Sequence, residues 1–543
     1  MEEVAIKKES TNKNPSFRPP MAESLVEYGS RRVIITLTAI ICALLEIVDT
    51  TIVNVALPDM KGNLGATTSE IGWVVTAYAI GNVIIVPMTS WLSQQFGRRN
   101  YFAASIMLFT ICSFLCGNAS GIWELVLFRF MQGLGGGALL VTSQTLITES
   151  YPPEKRGMAQ AIYGLGVIVG PTLGPPLGGY ITYHSTWPYI FYINIPLGII
   201  ACLLTLQFVR SPRYSAKSSA ADIDWLGIAF LAACVGSLQY VLEKGQEEDW
   251  FSNGLITVLT VVSVLAGFFF LWRESIFRNP VVRLGVLRNG NLRVGTVLSF
   301  ILGFGLYGTT FIIPLYTQTT LGWTPVQSGE LLIPSALTTA FMMPIIGRIL
   351  QKGVKQQYLV AFGMLLFFFF CFWGYKILTP DTGEGAFFWM LILRGFAMGL
   401  LFIPITTLSL STLKGRQIGE GAAFTGMARQ LGGSFGVALI TTFMSRRNIL
   451  HTANLSNHLN INDPNVQNRV HAMTQSFIAK GYAPNIAQQD AYKMLSYSVA
   501  KQSAVLSYMD VFLYIGILFL ICIPFVLVVK GNRGQKVDMS ATH

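Results

Sequence analysis

The sequence predicts an all-α polytopic membrane protein built from two six-helix bundles with two further helices inserted between them. Three observations predict it. The chain of 543 residues is 52% hydrophobic and only 12% charged, with a mean hydropathy of +0.52, too apolar for soluble domains of this length. Apolar stretches of the ~20 residues needed to cross a bilayer recur throughout. An internal repeat, finally, relates the two ends of the series.

The stretches fall at 33–56, 71–93, 101–118, 122–148, 157–181, 189–209, 224–242, 254–272, 292–315, 329–350, 357–378, 387–411, 418–444 and 508–529. About fourteen spans place both termini on one side. Basic residues choose the side. Arg31 and Arg32 precede the first span, and alternate loops hold Arg98, Arg99, Lys155, Arg156, Arg210, Arg213, Arg273, Arg348, Lys352 and Lys414, whereas the short opposite loops hold only Lys61, Lys244 and Lys376. This bias puts both termini in the cytoplasm. Arg446 and Arg447 lie outside, but they open a long loop, where the rule is weak. The net charge of +11 thus reads as topology and not as nucleic-acid binding. Cys42, Cys112, Cys116, Cys202, Cys234, Cys371 and Cys522 all sit in apolar segments and form neither a disulfide framework nor a metal signature. The polar N-terminus has no cleavable apolar core, so the first span is expected to be an uncleaved anchor.

Numbering the spans exposes the repeat. VPMTSWLSQQFGRR in span two is answered by MPIIGRILQKGVKQ in span ten, and LFRFMQGLGGGALL in span four by LILRGFAMGLLFIP in span twelve, so Arg129 matches Arg394 at an offset of about 260. The domain organisation follows: a tail at 1–32, a first bundle at 33–209, a linker with two extra helices at 210–291, and a second bundle at 292–529 that includes an outer loop at 445–507. A tail at 530–543 ends the chain. Duplicated helical halves with a site between them are a transporter architecture.

Span one carries the chemistry. In ICALLEIVDTTIVNVALP, Glu46 and Asp49 are three residues apart on one helical face, with Thr50 and Asn54 nearby. Ionised acids in hydrocarbon are costly and usually serve a pathway for ions or protons; the plainer alternative is an acid neutralised by a cation of another helix. Counting 1.5 Å per residue from the outer ends of their spans puts Arg129 about 10 Å and Asp49 about 12 Å deep, so the two can meet. Arg129 is therefore expected to hold ionised Asp49 in one conformation and to release it on protonation. In span five, Gly166, Gly170, Gly174 and Gly178 recur every fourth residue, a ladder that lets a neighbouring helix approach closely, and Pro171, Pro175 and Pro176 kink it.

These segments resemble the fourteen-span drug:proton antiporters of the major facilitator superfamily, the branch of EmrB and QacA, with EmrB the nearer. The resemblance rests on VDTTIVNVALP, SWLSQQFGRR, RFMQGLGGG, GLGVIVGPTLGPPLGG, WPYIFYINIPLG, DIDWLGI and ARQLGGSFGVAL, in this order over nearly the whole chain. It implies the major facilitator fold and export of amphipathic compounds in exchange for protons, with no cofactor beyond the proton gradient and no enzymatic activity. Asp49 would be the coupling acid and Arg129 its partner, while Glu46 lies outside the family pattern. Gln132 and Gly133 belong to the span-four motif, and Gly97, Arg98 and Arg99 to the loop after span two. The span-five set, Gly179 included, would mark antiporters as opposed to importers. Two departures stand out. Ser90 and Gln94 replace the glycine and aspartate of the usual G-x-L-x-D-R-x-G-R loop, which puts its charge lock in question, and Trp187-Pro188-Tyr189 replaces W-R-W.

In the outer loop, Asp463-Pro464 reads as a helix start and Gly481 as its stop, with Val466, Val470, Met473 and Phe477 forming an apolar stripe. That stripe needs cover, from the protein's own outer crown or from a partner. The resemblance makes the partner a periplasmic adaptor (an EmrA-like membrane fusion protein) joined to an outer-membrane channel, in the cell inner membrane. Gly303 to Gly308 fits GxGxxG but lies inside a span without a preceding strand, so helix packing explains it better; no phosphate-binding G-x-x-x-x-G-K-[ST] is present. Asn54, Tyr78, Gln144, Phe311 and Phe424 are candidate lining for an apolar substrate pocket with few polar points. Export of one endogenous metabolite or siderophore needs the same machinery and stands as the alternative; a sensor or channel is disfavoured, since neither a signalling domain nor a filter sequence is visible.

Overall fold

Helix caps and prolines punctuate the chain where the hydropathy pattern expects boundaries. The structure, a computed structural model, describes residues 21–22, 25–212, 223–277, 279–460 and 462–528. Most of the expected tail at 1–32, all of that at 530–543 and the linker residues 213–222 lie outside these. The first half comprises α1 (Gly29–Asn63), α2 (Thr68–Phe96), α3 (Arg98–Gly117), α4 (Ile122–Ser150), α5 (Arg156–His184), α6 (Tyr189–Tyr192) and α7 (Asn194–Phe208). The inserted pair is α8 (Trp225–Lys244) and α9 (Gly254–Ile276). The second half comprises α10 (Gly290–Thr319), α11 (Pro325–Glu330), α12 (Ile333–Gln351), α13 (Gln356–Ile377), α14 (Glu384–Leu410), α15 (Arg416–Asn457), α16 (Pro464–Ala479) and α17 (Pro484–Val528). A two-residue parallel pairing of β1 (Met21–Ala22) with β2 (Ser211–Pro212) is the one strand pairing among the described residues.

Local chemistry fixes the ends. Thr67 and Glu70 form a reciprocal capping box at α2, as Thr324 and Gln327 do at α11. Asp224, Asn253, Asn289 and Asp463 cap α8, α9, α10 and α16 with their side chains. Gly97, at φ 81°, separates α2 from α3 in a conformation that favours glycine. Two expected spans are each divided into a short and a long helix. Pro196 cannot donate to the Tyr192 carbonyl at the α6–α7 junction, nor Pro334 to that of Glu330 between α11 and α12.

Twelve helical stretches among the described residues are long and apolar enough to cross a membrane. At the positions of the fifth and thirteenth expected spans lie two further long helices, α5 with 29 residues and α15 with 42. Neither α15 nor α17 ends at the membrane boundary that hydropathy suggested; both run on into the outer loop, reaching Asn457 and starting at Pro484. There, Asp510 accepts from Arg447 Nε (2.6 Å) and faces His451 Nε2 (2.7 Å), Thr452 pairs with Ser503 (2.8 Å), and α16 packs along α17. Val470, in the middle of the predicted stripe, is buried, so the protein's own crown supplies cover for this face.

The halves meet along two seams. In the first, α5 packs on α12, α11 and α14. Gly157 approaches Gly347 near the start of α5 (a Cβ on Gly157 would lie 3.6 Å from the Gly347 carbonyl), and Gly329 approaches Pro175 nearer its other end (2.9 Å). In the second, α15 packs on α2 and α4, and α8 lies over α2 and α15. Gln239 of α8 accepts from Ser434 (3.0 Å), and Trp250, just beyond α8, donates to Thr442 (3.1 Å). The first seam is thus in contact near both of its ends.

Candidate functional site

Helix α1 touches α2, α4, α5 and α7 and presents its two acids to different neighbours. Residues three apart on a helix sit about 60° apart around its axis, enough to separate their partners. Asp49, fully buried, turns into the first bundle. It accepts from Arg129 Nη1 (2.6 Å), Gln132 Nε2 (3.0 Å) and Asn194 Nδ2 (2.9 Å). Gln132 in turn accepts from Arg129 (2.8 Å) and donates to Ser113 (2.8 Å). Arg129 Nε donates to the Val74 carbonyl (3.2 Å), and its guanidinium lies over the Tyr78 ring at 4.1 Å. A buried ion pair is tolerated when its remaining donors and acceptors are satisfied, and here four helices satisfy them.

Close backbone approach builds this cluster. A Cβ on Gly133 would come within 3.1 Å of the Asn82 nitrogen, and one on Gly137 within 2.6 Å of the Asn82 carbonyl. The glycine run of α4 thus lets α2 lie against it, bringing Tyr78 over Arg129 and Asn82 toward α1. On the other side of α1 stands the α5 ladder. Added Cβ atoms at Gly170, Gly174 and Gly178 would meet Ile47 Cγ2 at 2.6 Å, the Ile52 nitrogen at 3.0 Å and the Ile52 carbonyl at 2.9 Å. Gly166 faces Ile40, and Gly179 faces Val326 of the opposite half. Pro171 and Pro175 lie within α5 beside these glycines.

Glu46 faces elsewhere, toward the seam between the halves. It accepts from Asn82 Nδ2 (2.9 Å) and lies within electrostatic reach of both Asp49 and Arg429 of α15. The two acids thus bond to different partners while remaining within electrostatic reach of each other. The repeat is also asymmetric. Arg394 bonds to Thr309 (3.0 Å), Ser335 (3.1 Å) and Thr310 (2.7 Å), all hydroxyls. Arg394 makes no ion pair among the described residues, so the contact of this arginine with an acid forms in the first half and not in the second.

Where α3 starts and α4 ends, Arg98 pairs with Glu149 of α4, both buried. Gln94 donates to Ser90 (3.2 Å), and Glu420 accepts from Arg416 (3.0 Å). Gln94 thus supplies an amide and not a carboxylate at this place, and the carboxylate paired with Arg98 comes from α4. The backbone of Arg99 donates to Ser211 (3.2 Å).

Of the expected pocket residues, Tyr78 is committed to Arg129. Gln144 is buried with neither amide atom bonded among the described residues. The other three stand apart from one another. Asn54 is exposed and bonds its own helix at the Thr50 carbonyl (3.4 Å); Phe311, part-buried, packs against the core of the second half; Phe424, in a cluster with Val83, Met88, Leu231 and Phe270, lines a small cavity with Pro87, Trp91 and Glu420. Ser113, Asn194 and Arg429 escaped sequence reasoning, although polar residues in apolar runs were a usable signal for the last two.

Residues 39–437 match the model of the Major Facilitator Superfamily. The chain is similar to the multidrug export protein EmrB of Escherichia coli K12, at 33% identity over 93% of this chain and 97% of that protein. It is similar also to the fatty acid resistance protein FarB of Neisseria gonorrhoeae, at 33% identity over 91% and 96%. Among solved structures, the proton:xylose symporter XylE aligns at a TM-score of 0.58 and 16% identity, over 93% of this chain and 97% of that one, a likeness of fold.

Proposed function

This chain belongs to the major facilitator superfamily, in its EmrB-type branch, and from that premise we propose that this multi-pass membrane protein exports amphipathic toxic small molecules in exchange for protons. The single observation that carries the reading is the buried contact of Asp49 with Arg129, backed by Gln132 and Asn194. Protonation of Asp49 removes the charge that holds Arg129 and so favours a different packing of α1 against α4 and α7. Because α5 locks onto α1 through its glycine ladder and onto α12 across the seam, a change at α1 has a direct route to the interface between the halves. No cofactor is needed; the proton gradient supplies the free energy.

The membrane is the cell inner membrane, with both termini cytoplasmic as the basic loops direct. The names of relatives as a multidrug export protein and a fatty acid resistance protein support efflux as the direction of transport. The crown of α15, α16 and α17 is the surface on which an EmrA-like adaptor, and through it an outer-membrane channel, would dock; loss of adaptor pull-down on deleting 455–500 supports this, and unchanged binding refutes it. Efflux itself is tested with purified protein in liposomes holding an internal pH dye. Adding cargo on one side is expected to drive protons the opposite way, and cargo movement without proton movement would reject the reading.

A further inference from the structure

Glu243, next to the last residue of α8, is set among polar side chains of three helices. Its carboxylate bonds to Thr76 of α2 and to Gln239, one turn earlier on α8, and Gln239 accepts in turn from Ser434 of α15 (3.0 Å). One acid therefore stands where the inserted pair meets both halves. Its Oε2, kept from solvent, has no hydrogen-bond partner among the described residues. Charges around it are few. Lys244 pairs with Glu247 (2.6 Å), and these two are the charged groups that act on Glu243. Helix α9 carries no charged residue before Arg273 at its far end, α15 none between Arg429 and Arg446, and α2 only Glu70, held by Thr67 at the exposed start of that helix. Tyr240, the other titratable side chain of this turn, lies against Trp73 of α2 (5.2 Å).

We propose that Glu243 is a proton-binding site of its own, separate from Asp49, which exchanges with water at the end of α8 and sets the charge of the junction between α2, α8 and α15. The inference goes beyond the exporter reading, because it concerns proton binding with or without cargo. Helix α2 stands between the two acids. Val74, whose carbonyl accepts from Arg129, is two residues and about 3 Å along the axis from Thr76, and Thr76 lies about 200° around the helix from Tyr78, which is turned to Arg129. The acids thus flank α2 at nearly one level in unlike surroundings. Asp49 meets a cation and two amide donors, all of which need its charge. Glu243 meets an amide and the hydroxyl of Thr76, which can donate to a carboxylate or accept from a carboxylic acid. An ionised carboxylate with a buried oxygen that lacks a donor is costly. One proton removes that cost, and the Thr76 hydroxyl can reverse its bond without any movement of the helices. Water is near: α8 ends at Lys244, and Glu247 is exposed.

The test counts protons taken up by the full-length protein in nanodiscs as the pH falls from about 9 to about 5, a range in which ordinary surface carboxylates stay ionised. Wild type, Glu243→Gln, Asp49→Asn and the double variant are compared, with the carboxylic-acid C=O band followed in infrared difference spectra. Glu243→Gln is expected to take up about one proton fewer than wild type and to lack one acid band, which Asp49→Asn retains. An unchanged thermal midpoint reports that the glutamine variant is folded. Wild type alone gives a second readout. Dicyclohexylcarbodiimide, which reacts with protonated carboxyls in apolar surroundings, is expected to label Glu243 increasingly as the pH falls, as read by peptide mass. Equal proton uptake by wild type and Glu243→Gln, loss of the same band in Asp49→Asn, or labelling of Glu243 that does not vary with pH would each overturn the proposal and leave this acid a fixed staple between α8 and α2. Because no cargo is added, a failure here leaves the exporter reading untouched, and a protein that passes here but moves no protons against cargo refutes that reading alone.

Discussion

Replacing Asp49 by asparagine isolates the charge at the centre of the first half while keeping its shape. The asparagine Oδ1 still accepts from Gln132 and Asn194, at positions now 3.0 and 2.9 Å from the carboxylate. What changes is the contact with Arg129: the 2.6 Å charge-assisted bond becomes an amide N–H facing a guanidinium N–H, and a cation only 1% exposed loses its counter-charge. Removing one partner of a buried pair costs about 3–5 kcal/mol. If the packing of α1 against α4 seen here loses only the lower figure relative to its alternate, its population ratio moves by roughly a hundredfold or more, at tenfold per 1.4 kcal/mol. The expected outcome in proteoliposomes is loss of cargo accumulation driven by an imposed pH gradient, with cargo binding retained. Uphill accumulation at the wild-type rate by Asp49→Asn, with Glu46 also neutralised, would refute the reasoning.

Other perturbations test the frame around that site. Arg129→Leu leaves Asp49 as the uncompensated group and is expected to abolish coupling while lowering thermal stability; proton-coupled transport left intact would exclude the assigned pairing. Gly174→Ala puts a methyl group 3.0 Å from the Ile52 nitrogen and is expected to destabilise by about 1–3 kcal/mol in a thermal unfolding assay, against a negligible effect for Ala at the open Gly385. Glu149→Gln breaks the buried pair with Arg98 and should cost about 3–5 kcal/mol. Glu420→Gln, whose partners Arg416 and Arg283 are 32% and 41% exposed, should cost less than about 1 kcal/mol. Val470→Asp puts a charge under α16 and is expected to expose the crown to limited proteolysis while leaving the membrane-spanning helices protected.

Much of this was legible because the bilayer restricts the chain so strongly. Helix positions, the opposition of Arg129 to Asp49 and the ladder of α5 follow from apolar run length, from depth at 1.5 Å per residue and from a fixed spacing of glycines. What spacing could not give was which neighbour each acid addresses. Glu46 and Asp49, three residues and so just under one turn apart, stay within electrostatic reach of each other while their hydrogen-bond partners differ. The partner of Arg98 was hidden for a related reason: Gln94 marks the loss of an acid in one sequence window, while the carboxylate that Arg98 meets, Glu149, comes from a helix far along the chain. Helix ends beyond the bilayer were also invisible to hydropathy, because outside lipid a polar helix such as the end of α15 looks like a loop.

Those extensions give the crown a mechanical character. From residue 444, where the apolar run ends, to Asn457, α15 continues for about 20 Å at 1.5 Å per residue, tied to α17 by Arg447, His451 and Asp510. A rigid rod anchored in one half turns a small tilt at its base into displacement at its tip: about 10° there swings the tip about 3–4 Å sideways. Each cycle inside the bilayer would thus be felt by whatever sits on the far end as a stroke, with the direction of swing set by the half that carries the rod.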